Sequence, residues 1–307
     1  MSAKSVLLTG ATGFIGRHVA ACLATDKCEV VSLQRSSENV SGVSETLALA
    51  DFKLGNLMTA LNGRKFDWLI HLAGYGVRPW DRDAETMFSV NADMARRIIG
   101  LGSLLQVKAC FVAGSGSEYD LSHSSQPVRE DHPLETSKLY GASKAAGSIS
   151  ALATATNLKL PLAIGRIFGT YGPGEASHRL LPSLIVGLQR GIRIPLTSGN
   201  QLRDNLYVED VVSAIFSLLK FVEEHPSQVL VNIATGAPET VRHFAQLVAE
   251  EVGAPKAMLG FGDLEMRPDE TMCFSGSPER LMTLTGWHPK FDLRDGIHKS
   301  VGLLRTH

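Results

Sequence analysis

An apolar run over residues 5–8 ends in the glycine-rich turn GATGFIG, and over 14–23 apolar and small residues recur at helical spacing. A strand that turns through glycines directly into a helix admits few folds, because it must lie beside other strands with its helix packed on one face. The alternation then recurs. Residues 29–33, 68–72, 110–113 and 161–167 read as strands, with helical stretches such as 85–105 between them. Repeated βα units predict an α/β fold built on a Rossmann-type, doubly wound parallel sheet covered by helices.

After Gly169 the texture changes. Gly and Pro crowd residues 171–175, a helix is expected over 180–190, and the chain then returns through a helix over 208–222 and a strand over 229–234. The expected division is therefore interleaved: residues 1–169 with about 206–234 carry the large sheet, and 170–205 with 235–307 form a smaller α/β substrate domain. A helix over 240–252 is followed by a tail that reads as irregular. With a formal net charge of -1 over 307 residues and scattered Lys and Arg, the chain offers no electrostatic footprint for nucleic acid or an anionic membrane. No apolar run approaches the roughly 18 residues of a spanning helix, and no signal-peptide order is visible, so a cytoplasmic protein is expected. Cys22, Cys28, Cys110 and Cys273 lack metal-ligand spacing and read as reduced packing residues, with no metal implied.

Within GATGFIG, Gly10 permits the tight turn, Gly13 lets backbone N–H groups approach a pyrophosphate, and Gly16 allows close helix packing. Phe14 and Ile15 open the helix whose positive end would face the phosphate, so a dinucleotide cofactor is expected here. About twenty residues on, where an acidic residue would bind the ribose hydroxyls of NAD, the chain has Gln34, Arg35 and Ser36. Gln34 removes the repulsion of a 2′-phosphate, and Arg35 with Ser36 supplies charged and neutral donors to it. NADP(H) is the preferred cofactor on this reading. A merely solvated Arg35 would leave NAD(H) possible.

Tyr140 and Lys144 are four apart in LYGASKAAGSISAL, which places them one helical turn apart on one face. A tyrosine ordinarily titrates near 10, and a neighbouring ammonium would bring it toward working pH for proton transfer. Ser115, in VAGSGSEY, falls at the end of a strand, where parallel sheets place ligands, and its hydroxyl suits the oxygen that gains or loses a proton.

These motifs together resemble the extended short-chain dehydrogenase/reductases, specifically the NAD(P)-dependent sugar-nucleotide epimerase/dehydratase family. The likeness covers nearly the whole chain: GATGFIG, SGSEY and YGASK are joined by HLAG, GRIFGTYGP, RDNLYVEDV, NIATG, MRPDE and TGWHP in family order. The resemblance implies Asp51 near the adenine, Leu72, Ala73, Gly74 and Asn91 among the cofactor residues, and Tyr140 and Lys144 as acid/base and ribose-binding lysine. It also implies a nucleotide-sugar substrate, with Arg203 and Arg267 on its diphosphate or nucleotide unless ion pairing claims them, Ser117 at the sugar, and a homodimer. Arg78 and Trp80, after HLAG, are within range of the sugar on the same reading.

Family members that dehydrate the sugar carry Thr-Asp-Glu where this chain has Ser115, Gly116 and Ser117, and Glu118 stands one place too late. Elimination needs that added acid and base, so a dehydratase is disfavoured. Reduction of a nucleotide-linked 4-keto-6-deoxy sugar by NADPH is the favoured reaction, with an NAD-dependent 4-epimerase as the alternative. A non-catalytic dinucleotide-binding sensor has no need to keep Ser115, Tyr140 and Lys144 together.

Overall fold

The structure, a computed structural model, describes residues 3–61 and 63–304, so the outer ends of the two expected domains, 1–2 and 305–307, lie outside the described residues. In chain order the first part runs β1 Ser5–Thr9, α1 Phe14–Thr25, β2 Glu29–Gln34, β3 Glu45–Ala48, α2 Leu54–Ala60 and β4 Trp68–His71. Then follow α3 Ala84–Phe88, α4 Met94–Leu104, β5 Ala109–Ser115, α5 Leu139–Leu158 and β6 Leu162–Ile167. The second part runs β7 Gly169–Tyr171, α6 Leu180–Gln189, β8 Ile194–Leu196, β9 Leu202–Arg203, β10 Asn205–Tyr207, α7 Val208–Glu224 and β11 Gln228–Ile233. It closes with β12 Glu239–Thr240, α8 Val241–Val252, β13 Leu259–Phe261, β14 Cys273–Phe274, α9 Glu279–Thr285 and α10 Leu293–Leu304.

Seven strands form one sheet in the order β3-β2-β1-β4-β5-β6-β11, every neighbouring pair parallel, which is the doubly wound sheet expected from the βα alternation. The order reverses at β1, which lies between β2 and β4, and in such sheets the crevice beyond the strand ends at that reversal receives the ligand. Successive residues alternate between two cores, as strand periodicity requires. Val6 and Leu8 join Val19, Leu23, Val211 and Ile215 from α1 and α7, whereas Leu7 joins Ile98, Ile99, Ala151 and Ala155 from α4 and α5. Helix α7 and strand β11 return to this sheet, while a third core gathers Tyr171, Leu184, Tyr207, Phe244, Val248 and Ile297 from α6, α8 and α10.

Two local expectations are corrected. The stretch 85–105 is not one regular helix: α3 and α4 are joined by a π-helical turn, Ser89–Asp93, in which Asn91 is buried. The tail beyond Val252 is not irregular, since it holds α9 and α10. Their periods are obscured by Gly286, Gly296 and Gly302, and Gly296 is needed because a Cβ there would lie 2.1 Å from the Tyr171 hydroxyl. Leu281 and Trp287 of this tail pack into the sheet core rather than the third one, with Trp287 Nε1 donating to Ser213 Oγ on α7 at 2.8 Å. Among the described residues no helix is long and apolar enough to cross a membrane.

Candidate active site

The glycine turn after β1 and the HLAG segment after β4 meet at the sheet reversal. Gly10 has φ +77°, and a Cβ on it would lie 2.6 Å from Ala73 N, so only glycine allows the two strand ends to close together. A Cβ at Gly16 would sit 2.0 Å from Gly10 O, which seats α1 directly on the turn. Helix α1 begins after Gly13 with no side-chain cap and no acidic residue in its first turn, leaving the N–H groups at its positive end available for an anion. At the end of β2, Gln34 donates to Thr46 Oγ1 at 3.1 Å, and its Oε1 is buried without a partner, while Arg35 and Ser36 are exposed. This uncapped cradle, with an orphaned acceptor and a free guanidinium where the adenosine ribose would lie, fits a dinucleotide cofactor. Asp51 lies beyond β3, where its Oδ1 accepts from Lys53 N at 3.0 Å and Asn56 Nδ2 at 2.8 Å and so secures the start of α2. Those hydrogen bonds hold its carboxyl below the usual range.

Strand β5 delivers Ser115 and helix α5 delivers Tyr140 and Lys144. The two elements touch because residue 141 is glycine: a Cβ there would lie 2.2 Å from Ser117 O. Ser115 beside Tyr140 favours its phenolate, but burial has the larger effect and holds the hydroxyl above its ordinary value. The sequence suggested the opposite direction from a neighbouring ammonium. In the fold Lys144, 9% exposed, donates instead to Ala113 O at 2.6 Å, and burial lowers its pKa against the opposing charge of Glu118. Beside it His71 is buried, held near 3 by burial and by the Lys144 charge, so this imidazole is neutral. It shares a 2.7 Å hydrogen bond with Thr9 Oγ1.

Asn91, expected among the cofactor residues, makes three protein hydrogen bonds: its Oδ1 accepts from Tyr75 N, and its Nδ2 donates to Tyr75 O and Ser143 Oγ, all at 2.9 Å. It ties the loop after HLAG to α5. Leu72 and Ala73 are half-buried at the reversal and Gly74 is exposed. Ser117 is half-buried, its N–H donating to Ser115 Oγ at 3.1 Å.

Arg203 and Arg267 diverge. Arg203 is ion-paired with Glu270 and donates to Leu202 O and Thr271 O at 2.8 Å each. Its neighbours Asp204 and Glu209 are not its partners: Asp204 accepts from Thr235, Gly236 and Ser275, and Glu209 pairs with Lys299. Arg267 is exposed, with no ion-pair partner among the described residues. Arg78 is exposed, and Trp80, 66% exposed, meets His178 in a tilted ring contact with centroids 5.7 Å apart, bringing the loop after HLAG to the loop after β7.

Two carboxylates were not assigned from sequence. Glu175 is enclosed after the YGP turn, with one oxygen unpartnered and the other 3.3 Å from Arg179 Nε; burial pushes it up to about 7. No spacing signals it. Glu118 is fully buried, and the signal for its role was present: Ser115 to Glu118 is the S-x-x-E spacing of a capping box.

The profile of the NAD dependent epimerase/dehydratase family matches residues 6–234. The chain belongs to this family. Among its relatives in the family is the dTDP-6-deoxy-L-talose 4-dehydrogenase (NAD(P)(+)) of Kitasatospora kifunensis, 25% identical, with 96% of this chain and 93% of that one aligned. The dTDP-glucose 4,6-dehydratase of Streptomyces griseus is 28% identical, with 98% and 94% aligned. Among solved structures, MoeE5 in complex with UDP-glucose and NAD superposes with a TM-score of 0.84 at 27% identity, covering 98% of this chain and 99% of that one.

Proposed function

We propose that this epimerase/dehydratase-family chain is an NADPH-dependent reductase of a nucleotide-linked 4-keto-6-deoxy sugar. The observation that carries the reading is the approach of α5 to the end of β5: Gly141 seats the helix that bears Tyr140 and Lys144 against the turn after Ser115, while Glu118, the carboxylate of that segment, turns into the core onto Arg166. Bound in the glycine cradle, the nicotinamide cofactor supplies the hydride. Tyr140, protonated at neutral pH, gives its proton to the oxygen at carbon four, and Ser115 holds that oxygen in place. Lys144 supports Tyr140 from one turn along α5 and reaches the cofactor ribose. Gly116 and Ser117 bring no carboxylate to the site, so the acid and base that elimination of water requires have no candidates on this turn. Arg203 and Arg267 hold the diphosphate, Ser117 contacts the sugar, and Arg35 with Ser36 binds the 2′-phosphate.

The 4-dehydrogenase relative supports this reading, because oxidation at carbon four run backwards is reduction of a 4-ketone. The NAD held by MoeE5 favours the alternative, an NAD-dependent nucleotide-sugar 4-epimerase. Following NADPH and NADH absorbance over a panel of nucleotide-linked 4-keto-6-deoxy sugars separates the two. Consumption of NADPH over NADH, with the preference lost in Arg35→Ala, establishes the reductase; interconversion of sugar nucleotides with retained NAD and no net oxidation establishes the epimerase. The exposed Leu104, Ile149 and Leu158 on α4 and α5 support a homodimer through these helices, which sedimentation of the purified protein reads directly.

A further inference from the structure

We propose that Glu118, with Arg166 as its counter-ion, is the positioning residue that holds the strand end carrying Ser115 against α5, the helix carrying Tyr140 and Lys144. Glu118 is 0% exposed and Arg166 3%. Such a pair costs desolvation that only good geometry and further hydrogen bonds offset, and this one is completed from three elements. Glu118 Oε1 accepts from the Ser115 main-chain N–H at 2.9 Å and from Ser148 Oγ of α5 at 2.9 Å, and Oε2 accepts from Arg166 Nε of β6 at 2.7 Å. The strand end carrying Ser115, the helix carrying Tyr140 and Lys144, and the adjacent strand are thus tied to one carboxylate. Ser148 lies one turn beyond Lys144 on α5, so the tie reaches the helix face that bears the catalytic pair.

The surroundings are shaped for this carboxylate. A Cβ at residue 114 would lie 2.7 Å from Glu118 Oε1 and 3.2 Å from Arg166 Cγ, so the glycine between Ala113 and Ser115 makes its room. Arg166 is held in turn, its guanidinium 4.4 Å from the Tyr119 ring centroid and its Nη1 donating to Glu130 O at 3.3 Å. The electrostatic consequence falls on the site itself. The Glu118 charge disfavours the Tyr140 phenolate and favours the Lys144 ammonium, the pairing of states that proton donation to an alkoxide requires.

The inference rests on Ser115 and Tyr140 handling the proton, and two variants test it separately from the choice of substrate. Removing one charge alone would strand the other in the core, so each variant removes both. In Glu118→Gln/Arg166→Met the amide oxygen still accepts from Ser115 N–H but the charges are gone. The Tyr140 titration, read as the ultraviolet tyrosinate difference between this protein and its Tyr140→Phe counterpart, should move to lower pH. This readout needs no substrate, so it stands if the assigned reaction fails. In Glu118→Leu/Arg166→Met the acceptor is lost as well, and kcat for whichever nucleotide sugar wild type turns over should fall about 100-fold, with KM within about threefold. An unmoved Tyr140 titration in the first variant, or full turnover in the second, overturns the proposal.

Discussion

At the scale of single residues, the site is governed by burial as much as by charge. Tyr140 sits above its ordinary pKa because enclosure outweighs the influence of Ser115, a state suited to the acid role proposed for it. Tyr140→Phe should lower turnover by about 10³-fold while leaving cofactor affinity, measured by fluorescence titration, within about twofold. Glu175 shows the same physics with a stability cost. Its carboxyl ordinarily titrates near 4.5 and is pushed up to about 7. The folded state therefore holds this proton more tightly than the unfolded chain. Stability from this group is present below pH 4.5, declines as pH rises, and is fully lost above about pH 7. Glu175→Gln, which cannot ionise, should match wild type in unfolding free energy, read by chemical denaturation, at pH 4.5 and exceed it above pH 7 by about 3 kcal/mol at most. An equal difference at both pH values would show that the carboxyl titrates alike in the folded and unfolded chains, so that burial does not raise its pKa.

Among elements, the decisive contact is between α5 and the turn after β5. Gly141 lets the helix approach until no side-chain atom would fit between it and Ser117 O. Gly141→Ala should push the two apart, costing about 1–3 kcal/mol of stability in chemical denaturation and about 100-fold in kcat. Much of this level was legible in the sequence. Six strands of the large sheet, all but β3, follow from apolar runs and the helices α1, α5 and α7 from the helical period, and Gly10 and Gly16 announce a close approach because a glycine between strand and helix has few other uses. The illegible parts have physical reasons. Asn91 was read in a regular helix, but a π turn turns it toward Tyr75 and Ser143, and apolar periodicity carries no trace of one inserted residue. The pairing of Arg203 with Glu270 spans 67 positions, so neighbouring acids were the visible candidates and the folded partner was not.

For the whole molecule, that long-range pair couples substrate capture to the segment before β14. Glu270 occupies the guanidinium assigned to the substrate diphosphate, so a nucleotide must compete with a carboxylate already seated there. Arg203→Ala should raise KM for the nucleotide sugar about tenfold or more, whereas Glu270→Gln, which leaves the guanidinium without an anionic partner, should lower it. A rise in KM for Glu270→Gln would mean that the carboxylate helps to orient Arg203 rather than to block it.

The strands that carry the chain out of the sheet domain and back are hydrogen-bonded to each other, Gly169 beside Asn205 and Tyr171 beside Tyr207. Residues 172–204, which hold α6, β8 and β9, are thereby an excursion whose two ends are already clamped. Lengthening a loop with fixed ends adds only about 0.6 kcal/mol of closure entropy per doubling. Insertions in the connections of this excursion would leave the seven-stranded sheet and Ser115, Tyr140 and Lys144 in place, so this part of the fold can vary in length at little thermodynamic expense to the rest.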